Sequence, residues 1–339
     1  MNLKQNIKVK FVSKKSQGAA ELSNLKRFLP NNDPCLHNCE FLFSDEHDYD
    51  WLVVYDDFNY DIDCYCHKNN TLLITTEPSS IKVYESLYLK QFGHVLTGQE
   101  NWAIKHSNKI YSQPALLWFY NDLMTYNEIE QSTPLSKEKL ISTICSSKKS
   151  HFTMHTKRYN FTKYMAQNLS ELEWYGHGVK AIESKSEILD KFKYHITIEN
   201  HQADHWWTEK IADAFLGCTL PFYFGPKNIF DYFPKYSLIP IDINDPKSSL
   251  KKITHAIETD QFEKRKEEIL KARNLVLKKY NLFSTISKII EERHHYTNRL
   301  DTPWEIHTRH NLRKIPHNRF SCIQDKVFGK LKSLIYSKL

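Results

Sequence analysis

Glu199-Asn200 and Thr208-Glu209-Lys210 bring two carboxylates, an amide, a hydroxyl and an ammonium group into one short span of a 339-residue chain. Carboxylates accept from hydroxyl groups, while amide, hydroxyl and ammonium donors suit an anion such as a phosphate. The sequence around them says how they are positioned. Tyr194 to Asn200 is β-prone and reads as a buried strand running out into a loop. A helix follows over about 206 to 216, with Trp207, Ile211, Ala214 and Phe215 at helical spacing, and Gly217 stands where a helix end favours a left-handed residue. Thr219 to Phe224 reads as the next strand. The polar residues therefore gather at a strand's carboxyl end and a helix's first turn. In a parallel α/β sheet that edge binds ligands, and the helix start offers N–H groups and a positive dipole end to phosphate.

A second chemical feature lies earlier. The apolar run Thr71 to Thr76 leads straight into Glu77-Pro78, and Pro78 biases Glu77 towards an extended conformation, presenting its carboxylate from the strand's carboxyl end. By residue type alone this reads as a surface glutamate in a turn. Arg158, in the basic helix Lys157 to Met165, likewise reads alone as part of a solvated face, with Phe161 and Met165 packing inward.

Composition narrows the classes. The length allows two ordinary domains. Only 8 glycines occur, and the chain has no GxGxxG or Walker-type loop, which disfavours a dinucleotide fold or a P-loop enzyme. A net charge of +7 suits an anionic ligand or surface but lacks the dense clusters of a nucleic-acid binder, so no nucleic-acid partner is expected. Seven cysteines, an odd number, point to a reducing compartment. Cys35-x3-Cys39 and Cys64-x-Cys66 lie near His37 and His67 but lack the usual zinc spacing and read as free thiols. Neither a leader-like apolar run at the N-terminus nor a span of membrane length is evident, so a cytoplasmic protein is expected, peripheral at most to the inner face of the cytoplasmic membrane.

Short apolar strands at 6–12, 41–43, 50–55 and 71–76, separated by longer connections, suggest a parallel sheet with helices on both faces. A polar stretch ending in Thr133-Pro134-Leu135-Ser136 reads as a linker. The expected organisation is an α/β domain over 1–135, a second over 136–300, and a basic tail over 301–339. In that tail Val327, Phe328, Leu331, Leu334 and Ile335 form one helical stripe opposite lysines, a pattern that fits either an anionic membrane interface or docking on the protein body. Elsewhere, 262–279 reads as one covering helix and His294-His295 as a solvated helix end.

The central span resembles the signature of family 10 glycosyltransferases, the GDP-fucose-dependent α-1,3/4-fucosyltransferases. The matching residues are Ile198-Glu199-Asn200, Thr208-Glu209-Lys210, and Leu220-Pro221-Phe222-Tyr223-Phe224-Gly225 followed by Asp231-Tyr232-Phe233-Pro234. Further matches in order are the Thr-x-Glu ending at Glu77, Phe92 to Leu96, Ile110-Tyr111 with Pro114, the Arg158 helix, and Glu173 to Gly178. The resemblance implies a GT-B fold, two Rossmann-like domains facing a central cleft. It implies an inverting single displacement moving L-fucose from GDP-fucose to a hydroxyl of an oligosaccharide or lipid-linked glycan, such as a lipopolysaccharide, in α-1,3 linkage.

By the same resemblance Glu77 is the catalytic base and Arg158 contacts the donor diphosphate. Lys210 meets a phosphate, Glu209 binds ribose hydroxyls, and Glu199, Asn200 and Thr208 complete the donor pocket. Cations and the helix start replace a divalent ion, since Asp61-Ile62-Asp63 lies in the acceptor half. Neither a metal nor a cofactor is therefore expected beyond the donor. One departure stands out: Trp206 occupies the place of a family tyrosine two residues before the Thr. Another GDP-sugar donor is the alternative that this change leaves open, and a non-catalytic sugar-nucleotide-binding protein is a more distant one.

Overall fold

The computed structural model describes residues 6–14, 24–44, 46–148, 154–297 and 299–336. The chain divides into two compact units, 1–115 with 282–339, and 116–281. Each is an α/β layer structure.

In the first unit a seven-stranded sheet forms from β1 (Ile7–Ser13), β2 (Cys35–Leu36), β3 (Cys39–Leu42), β4 (Trp51–Tyr55), β6 (Thr71–Ile74), β7 (His94–Thr97) and β8 (Lys109–Tyr111), with β5 (Ile62–Cys64) lying outside it. The strand order is β2-β3-β1-β4-β6-β7-β8, and every pairing is parallel except β2 with β3. Central strands buried on both faces must be apolar throughout, and Trp51–Val54 and Leu72–Ile74 are fully enclosed. The four strands expected from the sequence are present here. Glu77 lies just beyond the carboxyl end of β6, exposed, with Pro78 and Ser79 buried behind it.

The second unit has a five-stranded, wholly parallel sheet in the order β10-β9-β11-β12-β13. Its strands are β9 (Lys139–Ile144), β10 (Leu172–Tyr175), β11 (Phe192–Ile198), β12 (Leu220–Phe224) and β13 (Ile239–Pro240). The principal helices are α1 (Tyr126–Gln131), α2 (His155–Asn168), α3 (Glu209–Leu216), α4 (Pro246–Glu258) and α5 (Lys266–Asn274). Phe161 and Met165 of α2, 1% and 0% exposed, enter the core formed by Ile141, Tyr194, Ile196 and Phe222, each worth about 1.5–3 kcal/mol of burial. The helix expected over 262–279 is interrupted. It resolves into a turn at Gln261–Lys264, α5, and a π-helical turn Leu275–Lys279. Within it Lys271 pairs with Glu268, three residues earlier, at 2.5 Å.

The C-terminal segment returns to the first unit. There α6 (Leu282–Arg293) sets Phe283 among Phe11, Phe41 and Phe43, and β14 (Trp304–Ile306) pairs antiparallel with β5. Next come α7 (Arg309–Lys314) and α8 (Pro316–Tyr336). Arg309 and Arg313 both engage the buried carboxylate of Glu85, and Asp325 accepts from the Ser86 N–H at 2.8 Å. This corrects two boundaries. Residues 116–135 belong with the second unit because Arg273 donates to the carbonyls of Ile129 and Ser132. Residues 282–339 are an integral part of the first unit, not a separate tail, because their apolar and ionic groups complete its core. Of the expected solvated helix end, His295 is exposed just beyond α6, whereas His294 is half-buried. Trp51 donates to His294 at 2.8 Å, and Asn70 bonds the His295 backbone at both its N–H and its carbonyl.

Candidate active site

The polar cluster of the second unit is built where β11 runs out towards α3. Glu199 follows β11 directly and is 0% exposed. Its carboxylate accepts the Thr208 N–H at 2.9 Å, the Thr208 hydroxyl at 2.6 Å and the Tyr223 hydroxyl at 3.1 Å. A buried carboxylate needs such partners, and here they tie the loop 200–207 closed. Glu199 was expected to line the donor pocket. Its complete burial makes it instead the internal anchor of the loop.

Thr208 is the N-cap of α3, its hydroxyl accepting from the Lys210 N–H at 3.4 Å. The helix was expected to begin near Trp206; it begins at Glu209, since Thr208 is extended at φ −130 and ψ −170. The N–H groups of Thr208 and Lys210 at this helix start are thus already accepted within the protein. At the other end the left-handed residue is Cys218 (φ 51), not Gly217 (φ −80). Gly217 is required for space, because a Cβ there would lie 2.4 Å from Leu189 Cβ.

Lys210 Nζ lies 2.9 Å from Glu209 Oε1, 3.1 Å from Thr208 Oγ1 and 3.6 Å from Glu199 Oε2. Burial pulls its pKa down, but Glu209 and Glu199 outweigh that and raise it, so the ammonium stays charged. Burial pushes Glu209 up, yet Lys210 and then Lys185 carry it down to about 2. Arg158 enters from α2, 8% exposed on the same face as Phe161 and Met165, and donates to the Asn200 side-chain oxygen. Its Nε is buried without a hydrogen-bond partner, a donor held ready inside a polar cluster. The Arg158 charge also acts on Lys210. Arg158, Asn200, Thr208, Glu209 and Lys210 are therefore one constellation, with Glu199 beneath it. Trp206 is 3% exposed and packs edge-on against His201, ring centroids 6.1 Å apart.

Residues 135–266 match the family model described as glycosyltransferase family 10 (fucosyltransferase) C-terminal domain. The second unit of this chain carries a family 10 glycosyltransferase domain. A stretch of 55 residues is 36% identical to the alpha-(1,3)-fucosyltransferase FucT of Helicobacter pylori, a match that spans 16% of this chain and only 12% of that protein's length. Among solved structures, a crystal structure of an alpha1,3-fucosyltransferase superposes with a TM-score of 0.51 at 15% identity, over 86% of this chain and 92% of that one. Another, of alpha1,3-fucosyltransferase with GDP, gives 0.50 at 16% identity over 88% and 95%. The fold is GT-B, with a family 10 domain as its second α/β unit.

Two further residues belong to the environment of the family 10 domain's constellation and were not singled out from the sequence. Asp213, one turn along α3 from Glu209, is 1% exposed; it pairs with Lys185 at 2.5 Å and accepts the Phe119 N–H at 2.8 Å. Burial, only partly opposed by Lys185, lifts its pKa to about 6. The i,i+4 relation to Glu209 was a signal within reach; the lysine, 28 residues away, was not.

Among the described residues one trio, Asp61, Glu305 and His307, has potential metal-ligand atoms within 4.8 Å of one another. Asp61 there accepts from the Thr308 N–H and from Asn311, and bonds His307, which joins the start of α7 to the loop before β5. The cysteines are free thiols, and the trio includes none of them.

Proposed function

We propose that the protein is an inverting glycosyltransferase that moves L-fucose from GDP-fucose to a hydroxyl of a glycan acceptor. The observation that carries this reading is the Arg158–Asn200–Lys210 constellation inside a family 10 domain, in which a guanidinium with one buried N–H unpartnered stands beside a charged ammonium. A diphosphate entering this cluster brings the negative charge that Arg158 and Lys210 are equipped to receive, and a guanidinium holds phosphate oxygens by paired N–H bonds. Glu209, fully ionised, accepts from ribose hydroxyls. As the bond from the anomeric carbon to the diphosphate breaks, these cations stabilise the leaving GDP. Glu77 of the first unit takes the proton from the attacking hydroxyl. Attack from the face opposite the leaving group inverts the anomeric centre. With charge supplied by side chains, the reaction needs neither a divalent ion nor another cofactor, and EDTA leaves its rate unchanged.

The test is GDP release from GDP-fucose, GDP-mannose and other GDP-sugars in water. Hydrolysis selective for GDP-fucose and lost in Glu77→Gln supports the reading. Faster hydrolysis of another GDP-sugar favours the second reading, in which Trp206 in place of a tyrosine selects a different donor on the same fold. Release no faster than the uncatalysed rate from every GDP-sugar, in the wild type as in Glu77→Gln, favours a sugar-nucleotide-binding protein without catalysis.

The acceptor is read as an oligosaccharide or lipid-linked glycan, a lipopolysaccharide among the candidates, presented at the inner face of the cytoplasmic membrane. Helix α8 supports this. Its inner face carries the buried Cys322, and Gly329 lies against Val83. Its outer face exposes Phe320, Ile323, Val327, Phe328, Leu331 and Ile335, each at least half exposed, flanked by Arg319, Lys326, Lys330 and Lys332. An apolar stripe edged with cations suits an anionic lipid surface. No helix of the described residues is long and apolar enough to cross a membrane.

A further inference from the structure

The turn that carries Glu77 is tied down at both ends. Gln99 is 1% exposed, and its side-chain nitrogen donates to the Glu77 carbonyl at 2.7 Å and to the Lys82 carbonyl at 3.0 Å. A primary amide has two hydrogens, so one side chain holds the two ends of the segment 77–82. Gln99 is itself fixed. Its N–H donates to Thr97 Oγ1 at 3.0 Å, the Thr75 hydroxyl donates to the same oxygen at 2.6 Å, and Lys109 Nζ donates to the Gln99 carbonyl at 3.1 Å. Another tie joins the same turn to the end of β4. The Thr76 N–H donates to the Tyr84 hydroxyl at 3.2 Å, that hydroxyl donates to the Asp56 carboxylate, and Asp56 also takes Lys82 Nζ at 2.7 Å. Asp56 sits at φ 73, in the left-handed region that strains most residues other than glycine.

We propose that Gln99 is a positioning residue for Glu77. The inference rests on the reading of Glu77 as the base. Glu77 is exposed, so its backbone sets where the carboxylate can reach, and Gln99 fixes that backbone at the Glu77 carbonyl itself. A general base must lie within hydrogen-bond reach of the proton it removes, and a displacement of about 1 Å can cost on the order of a hundredfold in rate.

The test uses the full chain, with water standing in for the acceptor and GDP release from GDP-fucose as the readout. Gln99→Met keeps the side chain's length and removes both N–H groups. It is expected to lower kcat about tenfold or more with KM for GDP-fucose unchanged, and to cost less than about twofold when made in a Glu77→Gln background, where the base is already gone. A purely structural role predicts the same loss in both backgrounds. That result, or Gln99→Met retaining kcat within about twofold while Glu77→Gln loses it, overturns the proposal. Undiminished GDP release in Glu77→Gln alone instead overturns the base assignment. Should Gln99→Met not melt cooperatively, Tyr84→Phe, which removes the tie at Thr76, puts the same two-background comparison to the turn.

Discussion

Thr208 gives both its N–H and its hydroxyl to one carboxylate, that of Glu199, at 2.9 and 2.6 Å. The same hydroxyl caps α3 through the Lys210 N–H, so a single side chain joins the strand end to the helix start. Thr208→Val keeps the shape and the backbone N–H but leaves the buried carboxylate short of a donor. The expected loss of stability is roughly 2–3 kcal/mol, measured by urea denaturation, together with weaker GDP binding because the Lys210 ammonium loses its 3.1 Å contact to the Thr208 oxygen.

Arg158→Lys removes the forked donor while keeping the charge. If the guanidinium holds the diphosphate as read above, GDP affinity falls by roughly 1.5–3 kcal/mol, about tenfold to a hundredfold. Calorimetric titration with GDP measures it. Unchanged affinity would place the diphosphate elsewhere.

How much of this arrangement could be read before the structure depended on distance along the chain. Glu199, Asn200, Thr208, Glu209 and Lys210 were legible because one strand, one loop and one helix carry them. The positions of the main strands followed from apolar runs for the same local reason. What escaped was set by distant partners: Glu199 looks like a pocket carboxylate until Tyr223 closes over it, and Asp213 looks like an ordinary helix residue until Lys185 meets it. The boundaries erred for the same reason. Nothing near Arg309 and Arg313 signals Glu85, 224 and 228 residues earlier.

Asp213 makes the second unit's stability depend on pH. Burial raises its folded pKa to about 6, against about 3.9 in an unfolded chain. A raised pKa means that the folded state holds the proton more tightly, so this contribution is fully present below about pH 4 and lost as pH rises through about 6. Between pH 4 and pH 7 the stability of the wild type relative to Asp213→Asn is expected to fall by roughly 2 kcal/mol. Denaturation midpoints of the two proteins across that range measure it. A constant difference would show that Asp213 keeps its ordinary pKa.

The stripe on α8 predicts binding to vesicles. The full chain is expected to associate with vesicles rich in anionic lipid and to detach as salt is raised. Replacing Phe320 and Phe328, 78% and 53% exposed, by Ser together is expected to weaken binding about tenfold or more without changing the melting temperature. Equal binding of the variant in a co-sedimentation assay would remove the membrane from the account.

The return of 282–339 to the first unit also has a consequence for biosynthesis. Emerging from the ribosome, the seven-stranded sheet of the first unit has to wait for the later-made segment that begins at Leu282 before Phe283, Ile306 and Leu312 can fill its core and before Glu85 meets its arginines. The family 10 domain faces no such delay, since every strand of its sheet is already outside the exit tunnel. A premature stop codon after Asn281 would therefore spare the unit that holds Arg158 and Lys210 and strand the unit that carries Glu77.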